Sequence, residues 1–350
     1  MKIINISKQM IEAEPDELCQ NIIDTLRKCF QSSNINVLLG AGFSYGVAGL
    51  LGDIENQLYK AEYINGDNEE VHKLKKNFFE KSILPMADKE RVKFGESERI
   101  RFFDIIKKIV ENRQSSILHK IVNVYTTNYD LLIESAFEKN HIEYVDGFSG
   151  KMRPVFSTAN YGMILSRQTS ISSMTSEVVT FNLYKVHGSL NWKFEGSEIH
   201  NCNHVELIRN IEQHLCSDDF DDYYSSLAII NPTKDKLRQT VLNINYYDQL
   251  RMYCNELEKI NTILISFGFS FADEHILQMT QRSLKGNPTF SLMIFSYDET
   301  STRKYEELFR EYSGVIVFQL VDQNEKQISV LNFTQKDVND LLEEVYNGTK

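Results

Sequence analysis

The stretch Asn36-Val-Leu-Leu-Gly-Ala-Gly-Phe-Ser44 decides the fold of this 350-residue chain. Its first four residues have strand character, Gly40-Ala-Gly42 makes a turn, and the small and polar residues that follow can open a helix. Glycine lets a backbone approach a pyrophosphate closely, and the N–H groups at a helix start point toward an anion. The stretch therefore predicts a phosphate-binding turn or, equally well by itself, a tight strand-to-helix connection without a ligand.

The C-terminal part of the chain alternates predicted strands with predicted helices. The strands are Thr262 to Phe267, Phe290 to Phe295 and Val315 to Leu320, and the helices are Asp273 to Ser283 and Arg303 to Tyr312. This spacing is typical of βαβ units and a parallel sheet. We predict an α/β protein with a Rossmann-like parallel sheet and helices on both of its faces.

The middle of the chain interrupts this alternation twice. Residues 53–120 are highly charged and helical in pattern, so we predict a mainly helical subdomain inserted into a core formed by residues 1–52 and 121–350. Residues 195–225 include four aspartates and are predicted to form an acidic loop insertion. Residues 1–350 would then make a single domain with two insertions.

Composition limits the classes of function. A net charge of -11 argues against direct nucleic-acid binding, which depends on clustered Lys and Arg, so any such role is expected to belong to a partner. The five cysteines include no C-x-x-C pair, which is typical of a reducing compartment. The N-terminus lacks the apolar core of a signal peptide, and no window of about 18 apolar residues predicts a membrane span. We expect a cytoplasmic protein without a membrane segment.

A dehydrogenase is disfavoured. Its fingerprint needs G-x-G-x-x-G and an acid on a second strand about 20 residues further on. Here Gly46 stands one place late, and the region around Glu62 has a helical pattern.

Four predicted strand ends present small or polar residues in a set order. They are Gly40-Ala-Gly-Phe-Ser44, Thr127-Asn-Tyr-Asp130, His187-Gly188, and Gly268-Phe-Ser270 followed by Asp273. In this order they resemble the sirtuin family, with its Gly-Ala-Gly-x-Ser loop, Asn-x-Asp motif, His-Gly motif and Gly-x-Ser turn. The resemblance spans roughly residues 35 to 300.

The resemblance implies a role for each matched position, with NAD as the substrate. Asn128 would bind the nicotinamide ribose or orient a water, and His187 would act as general base on a ribose hydroxyl. Asp130 would contact the carboxamide. The remaining cofactor-binding positions that it implies are Gly40, Ala41, Gly42, Phe43, Ser44, Thr127, Gly268, Phe269, Ser270, Tyr297 and Asp298. An amide, a carboxylate and an imidazole suit the oxocarbenium-like centre that forms when nicotinamide leaves C1′, and that step requires no metal.

Departures from the sirtuin pattern narrow the function. The two C-x-x-C pairs and the Pro-Asp-Phe-Arg segment of the deacylases are missing, which puts acyl-peptide binding in doubt. The run His187-Gly-Ser-Leu-Asn-Trp192 is more similar to bacterial sirtuin-like NAD hydrolases of anti-phage defence. That resemblance implies an NAD+ glycohydrolase that works as a homo-oligomer, with a HerA-like ATPase as a possible partner. A protein deacylase, an ADP-ribosyltransferase and a non-enzymatic NAD or ADP-ribose sensor remain open.

Structural uses of the same residues also remain open. Asn128 and Asp130 could cap the following helix, His187 could be a hydrogen-bonded buried histidine, and Ser270 or Asp273 could cap the helix after the last motif. A second group of possible ligands comprises His200, Cys202, His204, His214 and Cys216. Residues 200, 202 and 204 would share one face of a strand, but the spacing matches no standard zinc pattern. A polar loop is favoured and no metal is expected, while metal binding by this group remains open.

Overall fold

The computed structural model of the chain describes residues 2–6, 15–48, 57–58, 60–113, 115, 117–168, 170, 174–214, 217, 219–230, 243–324 and 327–348. Its strands are β1 Lys2–Ile6, β2 Asn34–Leu39, β3 Ile121–Thr126, β4 Glu143–Val145, β5 Phe148–Ser149, β6 Val155–Phe156, β7 Ser166–Gln168, β8 Thr175–Glu177, β9 Thr180–Lys185, β10 Gly188–Glu195, β11 Glu198–Asn201, β12 Leu227–Ile229, β13 Thr262–Phe267, β14 Phe290–Phe295, β15 Val315–Asn324 and β16 Gln327–Leu331.

The α-helices are α1 Pro15–Ser32, α2 Asn68–Phe78, α3 Lys89–Val92, α4 Glu96–Glu111, α5 Leu132–Lys139, α6 His204–His214, α7 Phe220–Ser226, α8 Ile244–Leu257, α9 Glu274–Gly286, α10 Glu299–Leu308 and α11 Gln335–Asn347. Shorter 3-10 turns lie at Ala41–Ser44, Leu84–Ala87 and Thr158–Asn160, and π-helical turns at Lys60–Asn65 and Phe79–Ile83.

The central sheet has a doubly wound order. Within the described residues it is nine-stranded, in the order β1-β15-β14-β13-β2-β3-β9-β4, with β16 paired to β15 off this path. Neighbours from β15 to β4 are parallel, whereas β1 and β16 are antiparallel to β15. The order 3-2-1-4-5-6 of a Rossmann sheet is reproduced by β9, β3, β2, β13, β14 and β15. The predicted α/β class with a mainly parallel, helix-flanked sheet is confirmed.

Two apolar layers cover the sheet. Strands buried on both faces are continuous apolar runs, and all six residues of β13 are buried. Successive side chains point to opposite faces, so Val37 and Leu39 pack into one core and Leu38 into the other. The first core includes residues of α1, α4, α5 and α11, and the second includes residues of α8, α9 and α10.

A ladder of three asparagines fixes the register of the central strands. Asn36, Asn123 and Asn182 are partners in neighbouring strands and are buried. Asn182 Nδ2 donates to Asn123 Oδ1 at 2.9 Å, and Asn123 Nδ2 donates to Asn36 Oδ1 at 3.0 Å. A slip by one residue would leave these amides without partners, and buried polar groups rarely remain so. The ladder therefore aligns the ends of β2, β3 and β9.

The predicted acidic loop at residues 195–225 is wrong. The segment holds β11, α6 and α7 instead. Asp221 and Asp222 lie in the first turn of α7, where negative charge is favourable, while Phe220, Tyr223 and Tyr224 of the same helix are buried. Asp221 and Asp222 therefore lie on the exposed face of an amphipathic helix.

The two halves of residues 53–120 pack differently. Phe102 and Phe103 of α4 belong to the first core, together with residues of β2 and β3. Phe78 and Phe79 belong to a third cluster that also contains residues of α6, α7 and β12. The helix α4 is therefore one of the layers that cover the sheet, and a separate subdomain within 53–120 stays a prediction.

Candidate functional site

The four sequence motifs meet at one edge of the sheet. They follow β2, β3, β9 and β13, which are neighbours in the order β13-β2-β3-β9 and run parallel. The chain leaves the sheet in opposite directions on either side of the β2/β13 boundary. Open α/β sheets bind ligands beyond the carboxyl ends of their strands at such a switch point.

The glycines of the first and last motifs allow two turns to touch. The Gly40 N–H donates to the Phe267 oxygen at 3.2 Å, and the Gly42 N–H donates to the Gly268 oxygen at 2.9 Å. A Cβ at Gly40 would lie 2.5 Å from the Gly268 oxygen, and a Cβ at Gly42 would lie 2.6 Å from the Gly268 Cα. Neither position has room for a side chain, so these glycines have a packing role whether or not a phosphate binds.

The first turn presents only part of its surface to solvent. Ala41 and Gly42 are exposed, whereas Phe43 and Ser44 are buried. The Phe43 ring packs edge-on against Phe102 and Phe103 in the first core. A dinucleotide at this turn would therefore meet the backbone of Phe43 and not its ring.

Ser44, Asn128 and Asp130 form a continuous hydrogen-bond network. Asn128 Nδ2 donates to the Gly40 oxygen and to Ser44 Oγ, both at 2.9 Å. Ser44 Oγ donates to Asp130 Oδ2 at 2.5 Å, and Asp130 Oδ1 accepts from the Leu132 N–H at 3.0 Å. Asp130 is not the N-cap of α5, which is Leu131, but its carboxylate accepts from the first N–H of that helix and also holds Ser44.

Two basic residues that sequence reasoning missed surround this network. Lys185 Nζ donates to the carbonyl oxygens of Tyr129 and Asp130, and it lies 2.8 Å from both Glu134 Oε1 and Ser189 Oγ. Arg99 of α4 is 2% exposed; burial lowers its pKa, and the negative charge of Asp130 opposes this shift. Both residues place positive charge beside the loop that carries Asn128 and Asp130.

His187 meets a second histidine that sequence reasoning also missed. His187 is 2% exposed and His275, at the start of α9, is 6% exposed, with their Nε2 atoms 3.4 Å apart. Asp273 lies beside them: one ligand atom from each of the three residues falls within 4.8 Å of the others. The only sequence signal for this pairing is that Asp273-Glu-His275 directly follows the Gly268-Phe-Ser270 turn.

The His-Gly turn is held tightly. Gly188 has φ +83, and a Cβ there would lie 2.0 Å from the Ala228 oxygen. The His187 oxygen accepts from the Ile230 N–H at 2.8 Å, just beyond β12. Glycine is needed at 188 because both the positive φ and the contact with Ala228 exclude a side chain.

A known protein family matches the segment that carries three of the four motifs. Residues 122–318, more than half of the chain, match the SIR2-like domain family. The chain belongs to the SIR2-like domain family. A solved structure described as "Structural Basis for the Mechanism and Regulation of Sir2 Enzymes" is 12% identical, with a TM-score of 0.44 over 93% of this chain and 98% of that chain. Comparison with curated proteins gave no match.

Membership of the family establishes the general chemistry. SIR2-like domains belong to a family of NAD-dependent enzymes in which NAD is a substrate. The matched segment includes Asn128, Asp130, His187 and Gly268, but begins after the glycine turn at Gly40.

The remaining predicted NAD-binding positions take no part in the hydrogen-bond network of Ser44, Asn128 and Asp130. Tyr297 is 51% exposed and its hydroxyl accepts from Asn332 Nδ2 at 3.1 Å. Asp298 caps α10 by accepting from the Ser301 N–H at 2.8 Å, and its hydrogen bonds from Ser301 lower its pKa. Ser270 is exposed, Phe269 is buried in the second core, and Thr127 is half-buried. Their contact with NAD stays a prediction.

The group of histidines and cysteines between 200 and 216 is dispersed. His200 Nε2 lies 3.1 Å from Glu198, and His214 Nδ1 lies 3.0 Å from Asp219. The strand β11 ends at Asn201, so Cys202 and His204 do not share a strand face with His200, and Cys216 lies outside the described residues. Among the described residues, only His187, Asp273 and His275 are grouped closely enough to hold a metal ion.

None of the helices in the described ranges combines the length and apolar character that a membrane span requires.

Proposed function

We propose that this SIR2-like protein is an NAD+ glycohydrolase that releases nicotinamide and ADP-ribose. The proposal rests on the observation that the Asn128 amide is fixed by the glycine turn itself. The Gly40 carbonyl can only accept a hydrogen bond, so the atom facing it must be Nδ2. With Nδ2 bound to both Gly40 and Ser44, the orientation of Oδ1 is determined.

The fixed amide suits a water nucleophile. Within the described residues no donor contacts Asn128 Oδ1, so this oxygen can accept a hydrogen bond from an attacking water or from a ribose hydroxyl. A pre-oriented acceptor costs little reorganisation when the reaction occurs. The turn that would hold the NAD phosphates is thus connected directly to the group that would place the water.

The reaction balances without an additional reactant. The bond between C1′ and the nicotinamide nitrogen breaks, and its electron pair neutralises the pyridinium ring. Water forms the new bond to C1′, and the released proton leaves through an acceptor in the site. We assign that role to His187. It would accept the proton of a ribose hydroxyl, which stabilises the oxocarbenium-like centre, and the ribose oxygen would then take the proton that water releases, so that one proton in total reaches His187.

We further propose that the activity depletes NAD during phage infection. This rests on the similarity of the run His187-Gly-Ser-Leu-Asn-Trp192 to the anti-phage NAD hydrolases and on the lack of two C-x-x-C pairs. Uncontrolled hydrolysis would harm the host, so the resting protein should be inactive until it assembles with itself or with a partner. A HerA-like ATPase is the partner to test.

Nicotinamide release from NAD tests the proposal, with and without the ATPase. Asn128→Ala and His187→Ala should each lower the rate by about 10²–10⁴-fold, the usual range for a positioned acid or base. Circular dichroism should show both variants folded. The exposed residues Asn68 and His119 provide matched controls: Asn68→Ala and His119→Ala should keep the wild-type rate.

The same assay separates the other functions. Release that requires an acetylated peptide would identify a deacylase, and ADP-ribose attached to a protein would identify a transferase. NAD binding without turnover under every condition would identify a sensor. Wild-type rates in Asn128→Ala or His187→Ala would remove the catalytic assignment.

A further inference from the structure

The imidazoles of His187 and His275 face each other through the same ring atom, at a separation near the long limit of a hydrogen bond. Both rings are buried and turn the same atom, Nε2, toward each other at 3.4 Å. Hydrogen bonds from ring N–H groups are usually about 2.7–3.2 Å long. Two imidazoles that bind one ion through Nε2 would hold these atoms at a similar separation.

The separation agrees with tetrahedral coordination of zinc. Zinc lies about 2.0–2.1 Å from a histidine nitrogen, and two such nitrogens at the tetrahedral angle are then about 3.4 Å apart. The Nε2 atoms of His187 and His275 are 3.4 Å apart. The ion would need little movement of either ring.

Asp273 supplies the third ligand. A carboxylate oxygen of Asp273 lies within 4.8 Å of the chosen nitrogens of both histidines, so a modest rotation of this half-buried side chain can bring it to the ion. Two imidazoles and one carboxylate are a donor set that divalent transition metals accept, with one position left for water or a ribose hydroxyl. We propose that His187, Asp273 and His275 form a zinc-binding site.

The backbone holds the three ligands in place. Gly188 fixes the turn after His187 against the Ala228 oxygen, and Asp273 and His275 lie two residues apart at the start of α9. The site departs from the sequence-based expectation that no metal is bound. It is also separate from the group at residues 200–216, which the fold disperses.

Zinc at this site would inhibit NAD hydrolysis. This consequence rests on the proposed function, because the lone pair on His187 Nε2 is the one that zinc would take. A histidine that coordinates zinc through Nε2 cannot accept a proton at that atom. The metal-bound protein is therefore a resting form, and loss of zinc exposes the base.

Metal binding is tested on the full chain without NAD. Zinc content by mass spectrometry and titration against a chromogenic chelator should give one zinc per chain for the wild type. His275→Ala, His275→Gln and Asp273→Asn should each lower the zinc affinity by more than the roughly 10–100-fold that is typical when a hydrogen-bond partner of a metal ligand is lost. Cobalt(II) should give a tetrahedral absorption spectrum in the wild type that is absent in His275→Gln.

His200→Ala and Cys202→Ala are the controls and should bind zinc as the wild type does. Wild-type protein that takes up no zinc, or His275→Ala and His275→Gln with wild-type affinity, would overturn the site. The glutamine variant preserves most of the side-chain volume, so loss of binding in that variant with an unchanged circular dichroism spectrum supports ligation over unfolding.

Adding zinc to active enzyme tests the inhibition separately. Zinc should lower nicotinamide release in Asn68→Ala as it does in the wild type, and a chelator should restore it. Unchanged or faster release with zinc bound would overturn the inhibition and leave the site standing. A protein that binds zinc through these residues but never hydrolyses NAD would overturn the proposed function alone.

Discussion

Gly268 lies in the turn after β13, where it contacts Gly42 in the turn after β2. It has φ +63, and a Cβ there would lie 2.7 Å from the Cα, from the carbonyl carbon of Gly42 and from the Phe43 nitrogen. An L side chain at positive φ costs roughly 1–2 kcal/mol, and overpacking against rigid backbone adds typically about 1–3 kcal/mol. We expect Gly268→Ala to lower the free energy of unfolding by about 2–5 kcal/mol, measured by urea denaturation.

Gly196 offers a matched control for this substitution. It has φ +65, and a Cβ added there would meet nothing within 4 Å, so Gly196→Ala tests the backbone strain without the clash. The control should lose only about 1–2 kcal/mol. Equal losses in Gly196→Ala and Gly268→Ala would show that the contact between the two turns is not tight.

Whether the role of a residue could be predicted depends on how far along the sequence its partner lies. The motifs at Gly40, Asn128 and His187 could be predicted because each is a local pattern after a strand. The contact of His187 with His275 and of Asn128 with Gly40 joins residues 88 positions apart in both cases, and no local pattern specifies it. Asp130 has two partners that its motif does not distinguish: its carboxylate accepts from the Leu132 N–H at the start of α5 and also holds Ser44.

At the scale of elements, Lys185 connects the end of β9 to the loop between β3 and α5. Its side chain is 2% exposed, and it lies against two carbonyl oxygens, Ser189 and the carboxylate of Glu134. Removing one partner of a buried ion pair costs about 3–5 kcal/mol because the other charge stays buried. We expect Lys185→Met to lose about this much stability in urea denaturation, and Lys185→Met/Glu134→Gln to lose less.

The loss of stability in Lys185→Met should also depend on pH. Burial raises the pKa of Glu134, and Lys185 opposes the rise, so removing Lys185 raises the pKa further. A carboxyl whose folded pKa exceeds its unfolded pKa, about 4.3, binds more protons in the native state. Stability then falls as pH rises through the folded pKa. Lys185→Met should therefore be more destabilised at pH 8 than at pH 5.

Two control variants test the predicted pH dependence of Lys185→Met. The double variant Lys185→Met/Glu134→Gln lacks the carboxyl and should lose the added pH dependence. Lys73→Met makes the same substitution in the exposed pair with Glu69 and should leave the urea midpoint nearly unchanged. A loss in Lys185→Met that is the same at pH 5 and pH 8 would contradict the account.

The buried strands of the C-terminal half were the elements that sequence could predict with the correct bounds. The strands Thr262–Phe267 and Phe290–Phe295 have the predicted bounds, because buried parallel strands are continuous apolar runs ended by glycine or polar residues. The edge strands β1 and β16 were not predicted, since they are short and pair antiparallel only with β15. The asparagine ladder was also missed, because its evidence is a register between strands and not a pattern within one.

At the scale of the whole molecule, the described residues form three apolar clusters. The first and second lie on opposite faces of the sheet, and the third joins residues of α2, α6, α7 and β12. Residues 60–111 contribute to the first and the third, so a boundary between packing units falls inside the segment predicted as one subdomain. Periodicity could show that this segment is helical, but it could not show which core each helix enters.

Two phenylalanines test this division. Phe103 packs against Phe137 and Phe181 in the first core, with ring centroids 4.6 Å and 6.0 Å away, and Phe79 packs against Phe220 in the third cluster at 5.4 Å. Each is fully buried, so truncation to alanine should cost about 3–5 kcal/mol where the site belongs to the global core. We expect Phe103→Ala to lose that stability and to lower hydrogen-exchange protection throughout β2, β3 and β9.

Phe79→Ala should act more locally than Phe103→Ala. Regions that open without global unfolding lose exchange protection as contiguous units. The third cluster draws on short helices and lies outside both faces of the sheet, so the loss of protection should be confined to α2, α6 and α7, with β13 and β14 unchanged. If Phe103→Ala instead loosened only residues 60–111 and left the sheet protected, that whole segment would be a separate subdomain, and α4 would not be a layer of the Rossmann core.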